Sequence, residues 1–164
     1  MAPGSAVDGE FAIRQATRVD LLSIYRLETR IFDEPWSYSA FETFLGEPAF
    51  LVAERNGRLL GYVVADWTAT RGRGFGHIKD LAVDPDCRRN GVGRTLLQRA
   101  VSRLLIEGIS TVKLEVREQN TVAKRLYVDE GFEPFRRIPQ YYSDGEAALV
   151  LVYNPTDSRE PLSF

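Results

Sequence analysis

Between residues 77 and 117 the hydrophobic period changes twice, and no other feature narrows the possible folds as much. "HIKDLAV" (77–83) reads as a strand. A turn rich in glycine and arginine follows. Val92, Leu96, Leu97, Ala100, Val101, Leu104 and Leu105 then recur at helical spacing, with Arg94, Gln98, Arg99, Ser102 and Arg103 on the opposite face. Gly108 offers a stop. "TVKLEVRE" (111–118) returns to a period of two, with Val112, Leu114 and Val116 on one face and Lys113, Glu115 and Arg117 on the other. Strand, turn, helix and strand in that order place the chain in the α/β class.

The flanks extend this centre. "FAIRQA" (11–16) alternates as a strand does. Leu21, Ile24, Tyr25, Glu28, Ile31 and Phe32 have helical spacing, with Thr17 as N-cap and Asp20 in the first turn. "SAFETFLGE" predicts a second short helix, with Ser39 and Glu42 at capping-box spacing and Gly46 as its stop. "AFLVAER" and "RLLGYVVADW" flank Asn56-Gly57, a strong hairpin signal. "TATRGRGFG" (68–76) reads as a basic loop, solvated by default. Asn120 caps a last helix with an apolar stripe of Val122, Ala123 and Leu126, and Gly131 ends it. "FEPFRRI" and "AALVLVY" are strands around the turn "YYSDGE". The predicted order is β-α-α-β-β-β-α-β-α-β-β, a mixed sheet in one domain over 10–153. Residues 1–9 are expected to form a flexible leader and 154–164 a polar tail.

Composition removes several classes of function. A chain of 164 residues with 44% hydrophobic and 27% charged residues matches one soluble domain with one core. A net charge of −2 gives no field that attracts nucleic acid. No apolar run spans a bilayer, and the first residues lack the pattern of a secretory signal, so a cytoplasmic protein is expected. The single cysteine, Cys87, excludes an intrachain disulfide, and the single histidine, His77, excludes the usual multi-histidine metal sites. No metal is expected.

The turn before the central helix carries the chemistry. A helix start has unpaired N–H groups and partial positive charge, glycines allow close backbone approach, and arginines add fixed cationic donors. Arg88-Arg89-Asn90-Gly91-Val92-Gly93 therefore reads as a seat for an anionic group. It lacks the Lys-Ser/Thr ending of a Walker A loop and the spacing of a dinucleotide fingerprint.

These six residues resemble the Q/R-x-x-G-x-G/A pyrophosphate loop of the GNAT superfamily of acetyltransferases. "LAVDPDCRRNGVGRTLL" is similar to that family's central strand, loop and helix. "LEVREQNTVAKRLYVDEGFE" is similar to the next strand and helix of the RimI-type and archaeal Nα-acetyltransferases. "FDEPWSYSAFE" resembles their substrate-side loop, and "YYSDGEAALVL" their final hairpin. The resemblance covers 11–153. It implies a twisted sheet splayed near its middle, with acetyl-CoA as co-substrate in the gap. Leu81, Ala82 and Val83 would hold the pantetheine and thioester. Arg88, Arg89, Asn90, Gly91, Val92, Gly93 and Arg94 would hold the pyrophosphate, with Asn120 as a further cofactor contact.

The resemblance makes Glu115 the base, acting through water, and Tyr127 the acid to the leaving thiolate. The residue pattern leaves alternatives open: Glu115 as a solvated carboxylate between two cations, Tyr127 as core. Tyr141 and Tyr142 are pocket residues or hairpin aromatics. Phe32, Glu34 and Trp36 form either an aromatic plug or a peptide wall, with Glu34 able to meet a cationic amine. His77 is a second proton relay or a structural strand histidine, and Cys87 is incidental.

The resemblance implies transfer to the α-amine of a protein N-terminus, a ribosomal protein among the candidates, by a monomer or weak homodimer. An α-amine of pKa about 8 is roughly one-tenth neutral at pH 7, and a lysine amine of about 10.4 only about once in a few thousand molecules. A carboxylate acting through water suits the former better. Transfer to a lysine or small amine, and a non-catalytic acyl-CoA-binding module, are the competing readings.

Overall fold

The computed structural model describes residues 10–70 and 73–155. The expected leader (1–9), residues 71–72 of the expected basic loop and most of the expected tail (156–164) lie outside the described residues. The strands are β1 (Ala12–Gln15), β2 (Leu51–Arg55), β3 (Arg58–Thr70), β4 (Arg73–Val83), β5 (Thr111–Arg117), β6 (Glu133–Ile138) and β7 (Ala148–Tyr153). The helices are α1 (Leu21–Ile31), α2 (Tyr38–Glu42), α3 (Val92–Ile106) and α4 (Thr121–Asp129). Short 3-10 turns at Arg18–Asp20 and Pro85–Cys87 precede α1 and α3. The mixed seven-stranded sheet has the order β1-β2-β3-β4-β5-β7-β6, with β4 and β5 parallel.

The helix and strand order predicted from periodicity is the observed one. Asn56 and Gly57 both have positive φ, 51° and 78°, as a two-residue hairpin turn with the twist of its strands requires. Four details differ. The expected loop 68–76 is strand on both sides of residues 71–72, because β3 runs to Thr70 and β4 begins at Arg73. Thr17 caps the short 3-10 turn rather than α1 itself; its N–H donates to Asp20 Oδ2 at 2.8 Å. The N-cap of α2 is Ser37, not Ser39: Ser37 Oγ accepts the Ala40 N–H at 3.1 Å. On α4, Val122 is 84% exposed, since the face turned inward is that of Tyr127.

The described residues form two compact units. One takes in those up to Asp66 together with Asp80–Arg103, and the other takes in the described residues of Trp67–Lys79 and those from Leu104 to residue 155. In the first, Leu21, Ile24 and Leu27 of α1 pack with Phe41, Phe50, Val52, Tyr62, Val64 and Ala82, and Phe32, Trp36 and Phe44 cover the edge of this cluster. Val92, Leu96, Leu97 and Ala100 of α3 are fully buried, as their stripe predicts. In the second, β5 alternates strictly, with Val112, Leu114 and Val116 buried.

Gly61 on β3 marks the tightest approach in the first unit. A Cβ there would stand 2.6 Å from the Ala82 carbonyl oxygen and 3.3 Å from Val83 Cα. The obstacle is backbone, which cannot swing away as a side-chain tip can. Gly61→Ala is expected to lower stability by about 1–3 kcal/mol in urea unfolding; an unchanged midpoint would show that β3 and β4 separate freely there.

Candidate active site

The turn expected to seat an anionic group lies in the first unit, where β4 passes into α3. Asp84 anchors its start. The Asp84 carboxylate accepts the Asp86 N–H at 2.9 Å, Arg30 at 3.0 Å on Oδ1 and Arg58 at 3.0 Å on Oδ2. Burial pushes the Asp84 carboxyl up, but the Asp86 N–H and the two guanidiniums outweigh it and hold it below the usual range. Cys87 is buried behind the turn.

The backbone then takes two left-handed steps, Arg89 at φ 73° and Gly91 at φ 80°. Such a φ is costly for arginine and easy for glycine. Thr95 closes the first helical turn on the Gly91 carbonyl, by its N–H at 3.0 Å and its hydroxyl at 2.8 Å. The space a Gly91 Cβ would enter is empty to 4 Å. Arg88, Arg89, Asn90 and Arg94 are exposed around it, Val92 is buried beneath and Gly93 is half-buried. Leu81, Ala82 and Val83 end β4, with Ala82 buried and its neighbours half-buried. The β4–β5 register runs from Phe75↔Thr111 to His77↔Lys113, so Leu81–Val83 lies beyond it.

Of the substrate-side residues named from the sequence, Phe32, Glu34 and Trp36 lie in the same unit. Phe32 and Trp36 are half-buried against the aromatic core, and Glu34 is exposed. Trp36 packs 5.1 Å from Phe41 and 5.6 Å from Phe44 between ring centroids.

The second unit holds Glu115. Its Oε1 lies 2.6 Å from His77 Nε2 and its Oε2 3.4 Å from Lys113 Nζ. The His77 hydrogen bond, opposed by burial and aided by Lys113, holds the Glu115 carboxyl below the usual range. The picture of Glu115 between two strand cations is therefore revised. Arg117 turns away to Asp144 at 3.0 Å and Glu146 at 2.8 Å, and covers the Tyr142 ring at 4.0 Å. Tyr141 and Tyr142 pack edge-to-face at 5.0 Å. Burial, then the neighbouring charges, pushes the Tyr142 hydroxyl up to about 12; burial and the Glu115 charge raise that of Tyr141. The unit thus gathers Glu115, His77, Tyr141 and Tyr142.

Asn120 caps α4, its Oδ1 accepting the Ala123 N–H at 3.1 Å. Tyr127, two turns on, is 9% exposed with its ring 6.0 Å from Phe132. Its burial satisfies the core reading and leaves the acid role compatible with it.

Two functional neighbours escaped the sequence reading. His77 as the partner of Glu115 follows from the β4–β5 register, which no local pattern discloses. Glu28 has the spacing of the inward stripe of α1, but its acceptance of the Trp36 N–H and of the Tyr62 hydroxyl on β3 is not a local pattern.

Residues 21–132 match the acetyltransferase (GNAT) family. An uncharacterized N-acetyltransferase of Methanocaldococcus jannaschii is 33% identical over 92% of this chain and 96% of its own length. An N-alpha-acetyltransferase of Sulfurisphaera tokodaii is 31% identical over 87% and 92%. The ribosomal protein bS18-alanine N-acetyltransferase of Escherichia coli K12 is 31% identical over 83% and 91%. The crystal structure of the E. coli enzyme superposes with a TM-score of 0.78 at 29% identity, covering 94% of this chain and all of that one, 100%. The chain belongs to the acetyltransferase (GNAT) family. It is an acetyl-CoA-dependent N-acetyltransferase.

Because Glu115 is held low in the folded state, its stabilising contribution is present above the ordinary carboxylate range and is lost as pH falls through its lowered value. His77→Ala is expected to move the NMR titration of the Glu115 carboxyl upward and to make the acid loss of stability shallower. A titration unmoved by the substitution would mean that the 2.6 Å contact does not hold in solution.

Proposed function

We propose that this chain transfers the acetyl group of acetyl-CoA directly to the α-amine of a protein N-terminus, in the cytoplasm, with a ribosomal protein among the candidate acceptors. One acetyltransferase domain over 10–153 does this. The observation that carries the reading is Glu115, a half-buried carboxylate held ionised by His77 beside Tyr141 and Tyr142. The names of the Sulfurisphaera and E. coli relatives support the same acceptor class.

The seat fits the diphosphate of acetyl-CoA. It offers a 15-residue helix start, exposed arginines and the open space over Gly91 that a side chain would fill. Arg88, Arg89, Gly91, Gly93 and Arg94 hold the phosphates, with Asn90 and Val92 shaping the turn. Leu81–Val83 and Asn120 hold the rest of the cofactor. Acetyl-CoA supplies the activated acyl thioester, and its thiolate is the leaving group. Phe32, Glu34, Trp36, Tyr141 and Tyr142 orient the peptide end, Glu34 meeting the cationic amine. Glu115 receives the amine proton through water, and His77 steadies the charge that does so. As the C–N bond forms and the C–S bond breaks, Tyr127 gives its hydroxyl proton to sulfur.

The depressed Glu115 makes a weak base. Such a base handles an ammonium of pKa about 8 with far less penalty than one of about 10.4. The α-amine is thus the matching substrate.

Peptides differing only in their first two residues test the acceptor: turnover should vary strongly among them, and turnover of polyamines with none of peptides would sink the reading. Tyr127→Phe is expected to lower kcat by about 10²–10⁴-fold with the acetyl-CoA Kd nearly intact. Equal loss of both would make Tyr127 a packing residue.

A further inference from the structure

A pair of acids in the first unit, Glu28 buried and Asp80 half-buried, has no role in the steps above. Glu28 of α1 is 2% exposed. Its Oε1 accepts the Tyr62 hydroxyl of β3 at 2.5 Å, and its Oε2 accepts the Trp36 backbone N–H at 2.9 Å. Asp80 of β4 lies within hydrogen-bonding reach of the same carboxylate. The Asp80 Oδ2 is buried and, as an ionised oxygen, has no partner.

Two carboxylates have no donor between them, and a buried polar atom left unpaired is costly. The groups acting on Asp80 are Glu28 from α1 and the neighbouring Leu81 N–H; those acting on Tyr62 are Asp80 and Glu28. No lysine or arginine stands among them to neutralise a second negative charge. One proton resolves both difficulties. Placed on Asp80, it makes that carboxyl a donor to Glu28, while Glu28 remains the acceptor that Tyr62 O–H and Trp36 N–H require. Burial, reinforced by Glu28, drives the Asp80 carboxyl well above the usual range, in the same direction.

We propose that Asp80 is protonated at neutral pH and donates to Glu28, and that this acid pair positions the Phe32–Trp36 segment for the peptide acceptor. The positioning half rests on the acceptor reading given above. Glu28 on α1 meets three other parts of its unit: β3 through Tyr62, the segment through the Trp36 N–H, and β4 through Asp80, one residue before Leu81. Asp80 and Glu28 are positioning residues; they act through Trp36 and β4. Loss of the proton sets two like charges against each other in a low-dielectric site and frees the segment.

Infrared difference spectroscopy of the full chain reads the proton directly. At neutral pH the wild type should show a protonated-carboxyl C=O band that Asp80→Asn lacks. The folded chain keeps this proton after an unfolded aspartate has lost it, so the Asp80 contribution to stability falls as pH rises from the ordinary carboxylate range to the raised value. The Tm of Asp80→Asn should therefore fall less than that of wild type over that range. Asp80→Asn retains a donor to Glu28 and should keep the peptide KM near wild type. Asp80→Ala should raise it about tenfold, with the acetyl-CoA Kd within about twofold. A wild-type spectrum without the band overturns the proton assignment. Equal KM losses for Asn and Ala overturn the positioning role. Absence of any peptide turnover by wild type overturns the acceptor reading instead, and the band and the Tm slope still decide where the proton sits.

Discussion

The first N–H groups of α3 have no partner within their own helix, and the turn before them leaves the space over Gly91 open. Two left-handed steps, at Arg89 and Gly91, bring the backbone into the helix without a side chain over its end. Asp84 fixes where the turn begins. It receives Arg30 from α1 and Arg58 from β3, so the turn proposed to hold the cofactor is braced from a helix and a strand of its unit. Because both guanidiniums are more than half exposed, these pairs set geometry more than they add stability.

Two acids, Asp80 of β4 and Glu115 of β5, sit in opposed environments. Glu115 is half-buried beside His77 and Lys113 and is held ionised. Asp80 is packed against another carboxylate with no cation acting on it and is driven the other way. A proton acceptor needs the first setting and a fixed internal donor needs the second. The difference comes from what each strand position faces, not from the residue type.

What could be read from the sequence was local. Asn56-Gly57 announced its hairpin because two consecutive positive φ values need those residues. Gly108 and Gly131 marked helix ends through their own positive φ, Asn120 marked a helix start through its side-chain acceptor, and the α3 stripe named its buried face. What could not be read depends on pairing between distant segments. The His77–Glu115 contact spans 38 residues and exists only through the parallel β4–β5 register. The Glu28–Tyr62 bond spans 34 and joins a helix to a strand. Ser39 stands at capping-box spacing from Glu42, yet the cap in use is Ser37, whose Oγ accepts the Ala40 N–H. Glycines and arginines at 68–76 looked like a loop, yet ladder hydrogen bonding carried strand through most of it.

The central claim concerns which nitrogen receives the acetyl group. Mass-spectrometric fragmentation of a product peptide that carries both a free α-amine and an internal lysine measures this directly. The account predicts acetylation at the α-nitrogen and loss of turnover when that amine is blocked. Acetyl on the lysine side chain, or undiminished turnover of the blocked peptide, would contradict it.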